Sequence, residues 1–314
     1  MPKATGWSAE QIPDLAGQTL IVTGGNSGLG LETTRELARH GARVVLACRS
    51  LEKARAAIGE VRAGSPRADV EAMALDLASL ASVRAFASAF LAAHRQLHGL
   101  VNNAGVMALP RCETVDGFEM QLGTNHFGHF ALTGLLLERL LETPGSRVVN
   151  LSSTMHKTGR MRWEDLNGER SYGKWTAYGQ SKLANLLFSY EFQRRLGAKR
   201  AQTISVACHP GYAATNLQFA GPRMQGSSWL EAGAGLMNRL FAQSAAMGAL
   251  PSLYAATAPG VRGGEYFGPG GFAEMGGPPR SVRSSARSHD AADAARLWEV
   301  SADATGVKFD ALKV

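Results

Sequence analysis

The chain has 314 residues, 45% hydrophobic and 19% charged, so it can fill a sizeable core and is neither a disulfide-stapled mini-protein nor disordered as a whole. Its net charge of +7 would draw anionic partners only if concentrated, and the one basic cluster, Arg280, Arg283 and Arg287, has no interleaved aromatic residues; it reads as a solvated tail, not a nucleic-acid patch. The N-terminus has no apolar h-region and no later run reaches about 18 apolar residues, so a soluble cytoplasmic protein without an integral membrane segment is expected.

Residues 18–22 are a β-branched and leucine run ending in Thr23-Gly24-Gly25, and residues 29–39 space Leu31, Thr34, Leu37 and Ala38 along one helix face. The pattern then repeats. Residues 42–48 predict a strand, 51–61 a helix, 70–75 a strand, 80–93 a helix with Val83, Phe86 and Phe90 inward, and 98–105 a strand and turn. Two more buried strands are predicted at 146–153 and 202–211, separated by a long helix at 175–196, with a last edge strand at 263–268. Strands and helices alternating at these lengths predict an α/β fold with a single doubly wound parallel sheet, helices covering both faces. No linker or repeat interrupts it, so residues 17–270 read as one domain between an N-terminal extension, 1–16, and a C-terminal extension, 271–314. Residues 216–245 and the tail read as irregular additions, apart from a short helix at 291–300.

The turn Thr23-Gly24-Gly25-Asn26-Ser27-Gly28-Leu29-Gly30 lies between the first strand and the first helix. Glycines there let the backbone approach a pyrophosphate, and the helix N-terminus attracts its charge. Dinucleotide binders place Asp or Glu about 20 residues further on for a ribose 2′-hydroxyl, whereas an arginine there accommodates a 2′-phosphate. Here the second strand ends in Cys48-Arg49-Ser50 with no carboxylate, which favours NADP(H) over NAD(H).

Tyr178 and Lys182 stand at i and i+4 on the long helix, on one face. A free tyrosine, with pKa near ~10, is a poor acid–base group at neutral pH, and an ammonium within ~4–6 Å is expected to lower it.

In chain order these motifs are the turn at 23–30, Asp76 closing the third strand, Asn102-Asn103-Ala104-Gly105 after the fourth, Asn125, Ser153, Tyr178 with Lys182, and Pro210-Gly211. Together they resemble the short-chain dehydrogenase/reductase superfamily with its Rossmann-type fold, over residues 17–270. NSGLG, the Ala-Cys-Arg strand end, the long Ser-to-Tyr interval with Glu164-Asp165-Leu166-Asn167, and AYGQSKLAN are similar to its retinol dehydrogenase and WW-domain oxidoreductase-like branch.

The resemblance implies that Tyr178 is the general acid in reduction and base in oxidation, that Ser153 hydrogen-bonds the substrate oxygen, and that Lys182 binds the nicotinamide ribose and lowers the tyrosine pKa. Asn125 would hold a water relaying protons to Lys182, and Ser152 would face the strand's neighbours. For the cofactor it implies the turn residues Gly24, Asn26, Ser27, Gly28, Leu29 and Gly30, with Arg49 at the 2′-phosphate. Asp76 and Leu77 would hold adenine, Asn103, Ala104 and Gly105 the adenosine ribose, and Pro210, Gly211 and Thr215 the nicotinamide side. One departure is Ser27, where many NADPH-preferring relatives carry a basic residue. The branch also favours NADP(H), and the family implies a homo-oligomer paired through the helices at 116–141 and 175–196.

Other chemistry-bearing residues read as structural. His126 and His129 are spaced as a metal pair might be, but no third ligand accompanies them, so no metal is expected. His156 and His209 flank the catalytic segments, the latter as a strand-end residue. The three cysteines, Cys48, Cys112 and Cys208, fit reduced thiols; the first and last end buried strands, and Cys112 sits in a polar loop with nothing near to activate it. Past Thr215, residues 216–244 carry Phe219, Met224, Trp229, Leu230, Leu236, Met237, Leu240 and Phe241, as a glycine-hinged lid over an apolar substrate would. The expected function is NADP(H)-dependent interconversion of an apolar ketone or aldehyde and its alcohol. A non-catalytic dinucleotide sensor or scaffold of the same fold is the alternative, and light-driven tetrapyrrole reduction a third reading.

Overall fold

Residues Thr19–Thr23 (β1) are buried along their whole length, and alternate side chains leave on opposite faces. Leu20 and Val22 join one core layer and Ile21 the other. The computed structural model describes residues 6–212 and 243–313. Within them follow β2 (Arg43–Cys48), β3 (Val70–Ala74), β4 (Gly99–Asn102), β5 (Arg147–Leu151), β6 (Ile204–Cys208), β7 (Tyr266–Pro269) and β8 (Pro279–Ser281). They make one sheet in the order β3-β2-β1-β4-β5-β6-β7-β8, parallel except for β7 against β8. The doubly wound parallel sheet is therefore present, and the order reverses between β1 and β4, where such sheets open a crevice at their carboxyl ends.

Helices α1 (Gly28–Arg39) and α2 (Leu51–Gly64) pack with α8 (Ala245–Thr257) on one face; α3 (Leu80–Ala93), α5 (Gly128–Leu135) and α7 (Lys174–Ala198) cover the other. Side chains cap several starts: Ser50 accepts from the Lys53 amide and Ser79 from that of Ser82.

Three expectations change. The predicted helix at 116–141 is broken into α4 (Met120–Leu122), a wide π turn at Gly123–Phe127, α5, and α6 (Leu137–Leu141). The Glu119 carboxylate takes the amides of Gln121 and Leu122 at 3.0 and 2.7 Å, so the helix starts there and not at 116. The strand predicted at 263–268 is not an edge, because β7 pairs on its other side with β8, whose proline suits an edge position.

Nor is the tail irregular. Residues Ala291–Thr305 form α9, whose Trp298 is 3% exposed and lies 5.3 Å from the ring of Phe130, 5.8 Å from Phe188 and 4.6 Å from Phe309. The basic cluster is exposed at Arg280, Arg283 and Arg287, as a solvated face would be, and Arg287 also donates to the carbonyls of Lys157 and Gly159. The long Ser-to-Tyr interval docks there too, Trp163 donating to Asp293 at 3.0 Å.

Pairing through α5 and α7 meets this tail, since their aromatic face is filled from within the chain and α7 is buried from Ala177 to Phe192. No helix among the described residues is long and apolar enough to cross a membrane. The lid segment 216–242 and Thr215 lie outside the described residues.

The tail should therefore be part of the cooperative core. Trp298→Ala is expected to cost about 3–5 kcal/mol, read as a lower denaturation midpoint; a change below about 1 kcal/mol would show a tail merely resting on the surface.

Candidate active site

The turn after β1 is shaped by backbone. Gly24 has φ +65°, in the left-handed region, and a methyl group on Gly30 would lie 2.3 Å from the Gly24 carbonyl oxygen and 2.6 Å from Asn103 Nδ2. Ser27 precedes α1 without capping it by its side chain, so the helix N-terminus faces an adjoining cavity of about 690 Å³ with its amides unclaimed by that hydroxyl.

That cavity gathers most of the sequence-predicted residues. Gly24, Asn26, Ser27, Gly28, Leu29 and Gly30 line it from the first turn, Arg49 from the end of β2, Asp76 and Leu77 from beyond β3, and Asn103, Ala104 and Gly105 from the β4 turn. Tyr178 and Lys182 enter from α7, and Pro210 from beyond β6. Asp76 is oriented by the Ala78 amide, which donates to its Oδ1 at 2.9 Å.

Three others stand outside the lining. Gly211 has φ +70°, and a methyl group there would lie 2.6 Å from the Met275 carbonyl oxygen and 2.9 Å from that of Glu274. Ser153, half-buried, accepts from the Met155 amide at 3.2 Å and has its own hydrogen for the Tyr178 oxygen. Asn125 sits in the π turn, fully buried, its Oδ1 accepting from the Val106 amide and its Nδ2 donating to the Val106 carbonyl and to Ser181 Oγ. Ser152 donates to the Lys182 carbonyl at 2.8 Å and so ties α7 to the end of β5.

The sequence reading missed Lys53, which lines the cavity from the first turn of α2. A second basic residue one turn beyond Arg49 was the signal. It also missed Val106, Met120 and Leu151, an apolar part of the wall with nothing in local pattern to mark it.

Tyr178 and Lys182 are each 4% exposed, with Lys182 Nζ 5.7 Å from the centre of the Tyr178 ring. The helical spacing does bring them together. The expected acidification of the phenol is not found: burial pushes Tyr178 up to about 12, opposed by a hydrogen bond with Ser153. Burial also pulls Lys182 down to about 8, its Nζ donating to the Leu151 carbonyl at 3.2 Å. Both shifts favour the neutral form. At neutral pH the lysine keeps most of its charge and the phenol keeps its proton.

The histidines are structural. His126 Nε2 lies 2.8 Å from Ser301 Oγ on α9, and His156 donates to the Ser153 carbonyl and accepts from the Ser285 amide. His209 is buried at the end of β6 against Glu274. Burial raises the Cys112 thiol pKa, so that cysteine is not activated.

Against known proteins, the short chain dehydrogenase family profile matches residues 18–224. Retinol dehydrogenase 12 of Mus musculus is 42% identical over 305 residues, covering 96% of this chain and 89% of that protein. Retinol dehydrogenase 11 of Homo sapiens is 41% identical over 305 residues, with the same coverage. A crystal structure of a putative uncharacterized protein from Mycobacterium Paratuberculosis superposes with a TM-score of 0.80 at 43% identity, covering 97% of this chain and 99% of that one.

The buried lysine should weaken the fold. Its pKa falls from 10.5 to about 8, so the folded state holds fewer protons than the unfolded one between those values, and stability from this group rises with pH across that window. Lys182→Met is therefore expected to stabilise the protein at pH 7 by up to about 3 kcal/mol, an advantage that shrinks above pH 8; thermal unfolding at both pH values checks it, and a loss of stability at pH 7 would contradict it.

Proposed function

Because this chain belongs to the short chain dehydrogenase family, in its retinol dehydrogenase branch, we propose that it is an NADP(H)-dependent oxidoreductase interconverting an apolar ketone or aldehyde and its alcohol. The observation that carries this reading is that Tyr178 and Lys182 line the same cavity as the glycine turn.

The groups present fit a dinucleotide. The open N-terminus of α1 and the close approach allowed at Gly30 suit a pyrophosphate, and Arg49 with Lys53 would neutralise a 2′-phosphate. Asp76 Oδ2, free of the bond that holds Oδ1, would accept from the adenine amino group. When bound, the nicotinamide supplies or accepts the hydride.

The chain's own residues handle the proton and the charge. The Ser153 hydrogen would turn from the Tyr178 oxygen to the substrate oxygen and stabilise negative charge there. With its pKa at about 12, Tyr178 holds its proton until that oxygen becomes basic, so it serves reduction as a general acid. Lys182, charged at neutral pH, would stabilise the phenolate left behind and bind the ribose hydroxyls. Asn125 has spent both amide hydrogens, so its relay would run through the remaining lone pair of Oδ1: a methyl on Gly105 would lie 3.0 Å from that atom and 3.6 Å from Lys182 Nζ.

An apolar substrate is supported by the wall of Val106, Met120 and Leu151, by the half-exposed Trp175 whose ring lies 6.5 Å from that of Tyr178, and by the retinol named in the relatives.

Tyr178→Phe is expected to lower carbonyl reduction by about 10²–10⁴-fold while NADPH still binds; a wild-type protein that turns over no carbonyl would instead mark a dinucleotide sensor. Arg49→Asp should raise the Michaelis constant for NADPH roughly ten- to a hundredfold and leave that for NADH little changed, and equal effects on both would refute the 2′-phosphate assignment.

A further inference from the structure

We propose that His129 is a positioning residue, which holds the cavity wall Asn103-Ala104-Gly105-Val106 from both ends through Thr23 and Asn125; its consequence for binding rests on the dinucleotide reading above. His126 and His129 look like a metal pair in sequence, but their rings part: His126 bonds Ser301 on α9, and His129 turns to Thr23 at the end of β1.

The bond pattern settles the state of the ring. His129 is 3% exposed, and its Nδ1 lies 3.0 Å from the Asn125 carbonyl oxygen. A carbonyl only accepts, so Nδ1 carries the hydrogen, and Nε2 of the neutral ring must accept. Thr23 Oγ1 lies 2.9 Å from that Nε2 and therefore donates to it. The Thr23 hydrogen is thus drawn to the ring in preference to the Val101 carbonyl, 3.3 Å away. Its lone pairs are left for the Asn103 and Ala104 amides, each at 2.9 Å.

At the other end of the wall, Asn125 takes the Val106 amide at 2.8 Å and donates to the Val106 carbonyl at 3.0 Å. His129 is the side chain that touches both holders. Its own backbone is secured, since Thr133 Oγ1 donates to the His129 carbonyl at 2.7 Å. Burial and the Lys182 cation hold the imidazole down at about 4, so it stays neutral in the range where the enzyme works. A ring that charged would lose the acceptor for Thr23 and release the Asn103 and Ala104 end of the wall.

The test is a binding cycle read by NADPH fluorescence. His129→Phe, which keeps the ring volume and removes both bonds, is expected to weaken NADPH binding at least roughly tenfold. His129→Gln, whose amide can both donate and accept, should recover most of that loss. Thr23→Val should weaken binding comparably, and adding His129→Phe to it should cost clearly less than His129→Phe costs alone, because one of the two partners of the ring is already gone. Wild-type affinity in His129→Phe, or the same fold-change in both Thr23 backgrounds, would overturn the proposal.

Nitrogen NMR of the wild-type imidazole decides the matter should His129→Phe not fold. The bridge requires a neutral Nδ1–H tautomer that does not titrate between about pH 5 and pH 9, and an Nε2–H tautomer or a titrating ring would refute it. Wild-type protein that binds no nicotinamide dinucleotide would sink the proposed function, while the NMR result would still report on the bridge.

Discussion

The rest of the structure accommodates one demand, that a phenol and an ammonium be taken out of water side by side. Tyr178 and Lys182 are almost wholly buried, and burial drives both toward their neutral forms. A helix carrying such a pair must be held against the sheet by something other than the pair. Three bonds do so within one turn: Ser152 donates to the Lys182 carbonyl, while Lys182 and Asn185 both donate to the Leu151 carbonyl. The end of β5 and the middle of α7 are thus one unit, and Ser153 is the next residue along.

The second constraint is where a parallel sheet leaves room. Every strand from β1 to β6 ends on the same side, so their following loops meet there, and the chain reverses direction of travel between β1 and β4. The first turn must then fold back tightly, which leaves no room for a side chain at Gly30, where a methyl group would lie 2.3 Å from the Gly24 carbonyl oxygen. The wall after β4 is built from backbone amides claimed by Thr23 and Asn125. Those bonds hold the amides of Asn103, Ala104 and Val106 in place on the side away from the cavity.

The tail supplies what the central layers lack. The helices that hold Asn125 and Tyr178 present Phe130, Phe188 and Phe192 outward, and Trp298 with Phe309 covers them. Ser301 on the same tail helix bonds His126, next to Asn125 in the π turn. The extension is therefore part of the support of the site, though it lies far from it in sequence.

The alternation of strand and helix, the glycine turn and the pairing of Tyr178 with Lys182 were legible in the amino-acid order, because each depends on neighbours within a few residues: period-two and period-3.6 burial, a backbone that must bend, and two side chains one helical turn apart. What tertiary structure decided was everything set by distant segments. The predicted helix at 116–141 broke where Glu119 and the π turn intervene, and β8 and α9 found partners on β7 and α7 that local pattern does not reveal. Most of all, the sequence announced an ammonium near a phenol but not the medium between them. Proximity is written in residue spacing, whereas the cost of removing water depends on the whole surrounding core, and here burial raises the phenol pKa against a hydrogen bond with Ser153 and lowers that of the lysine.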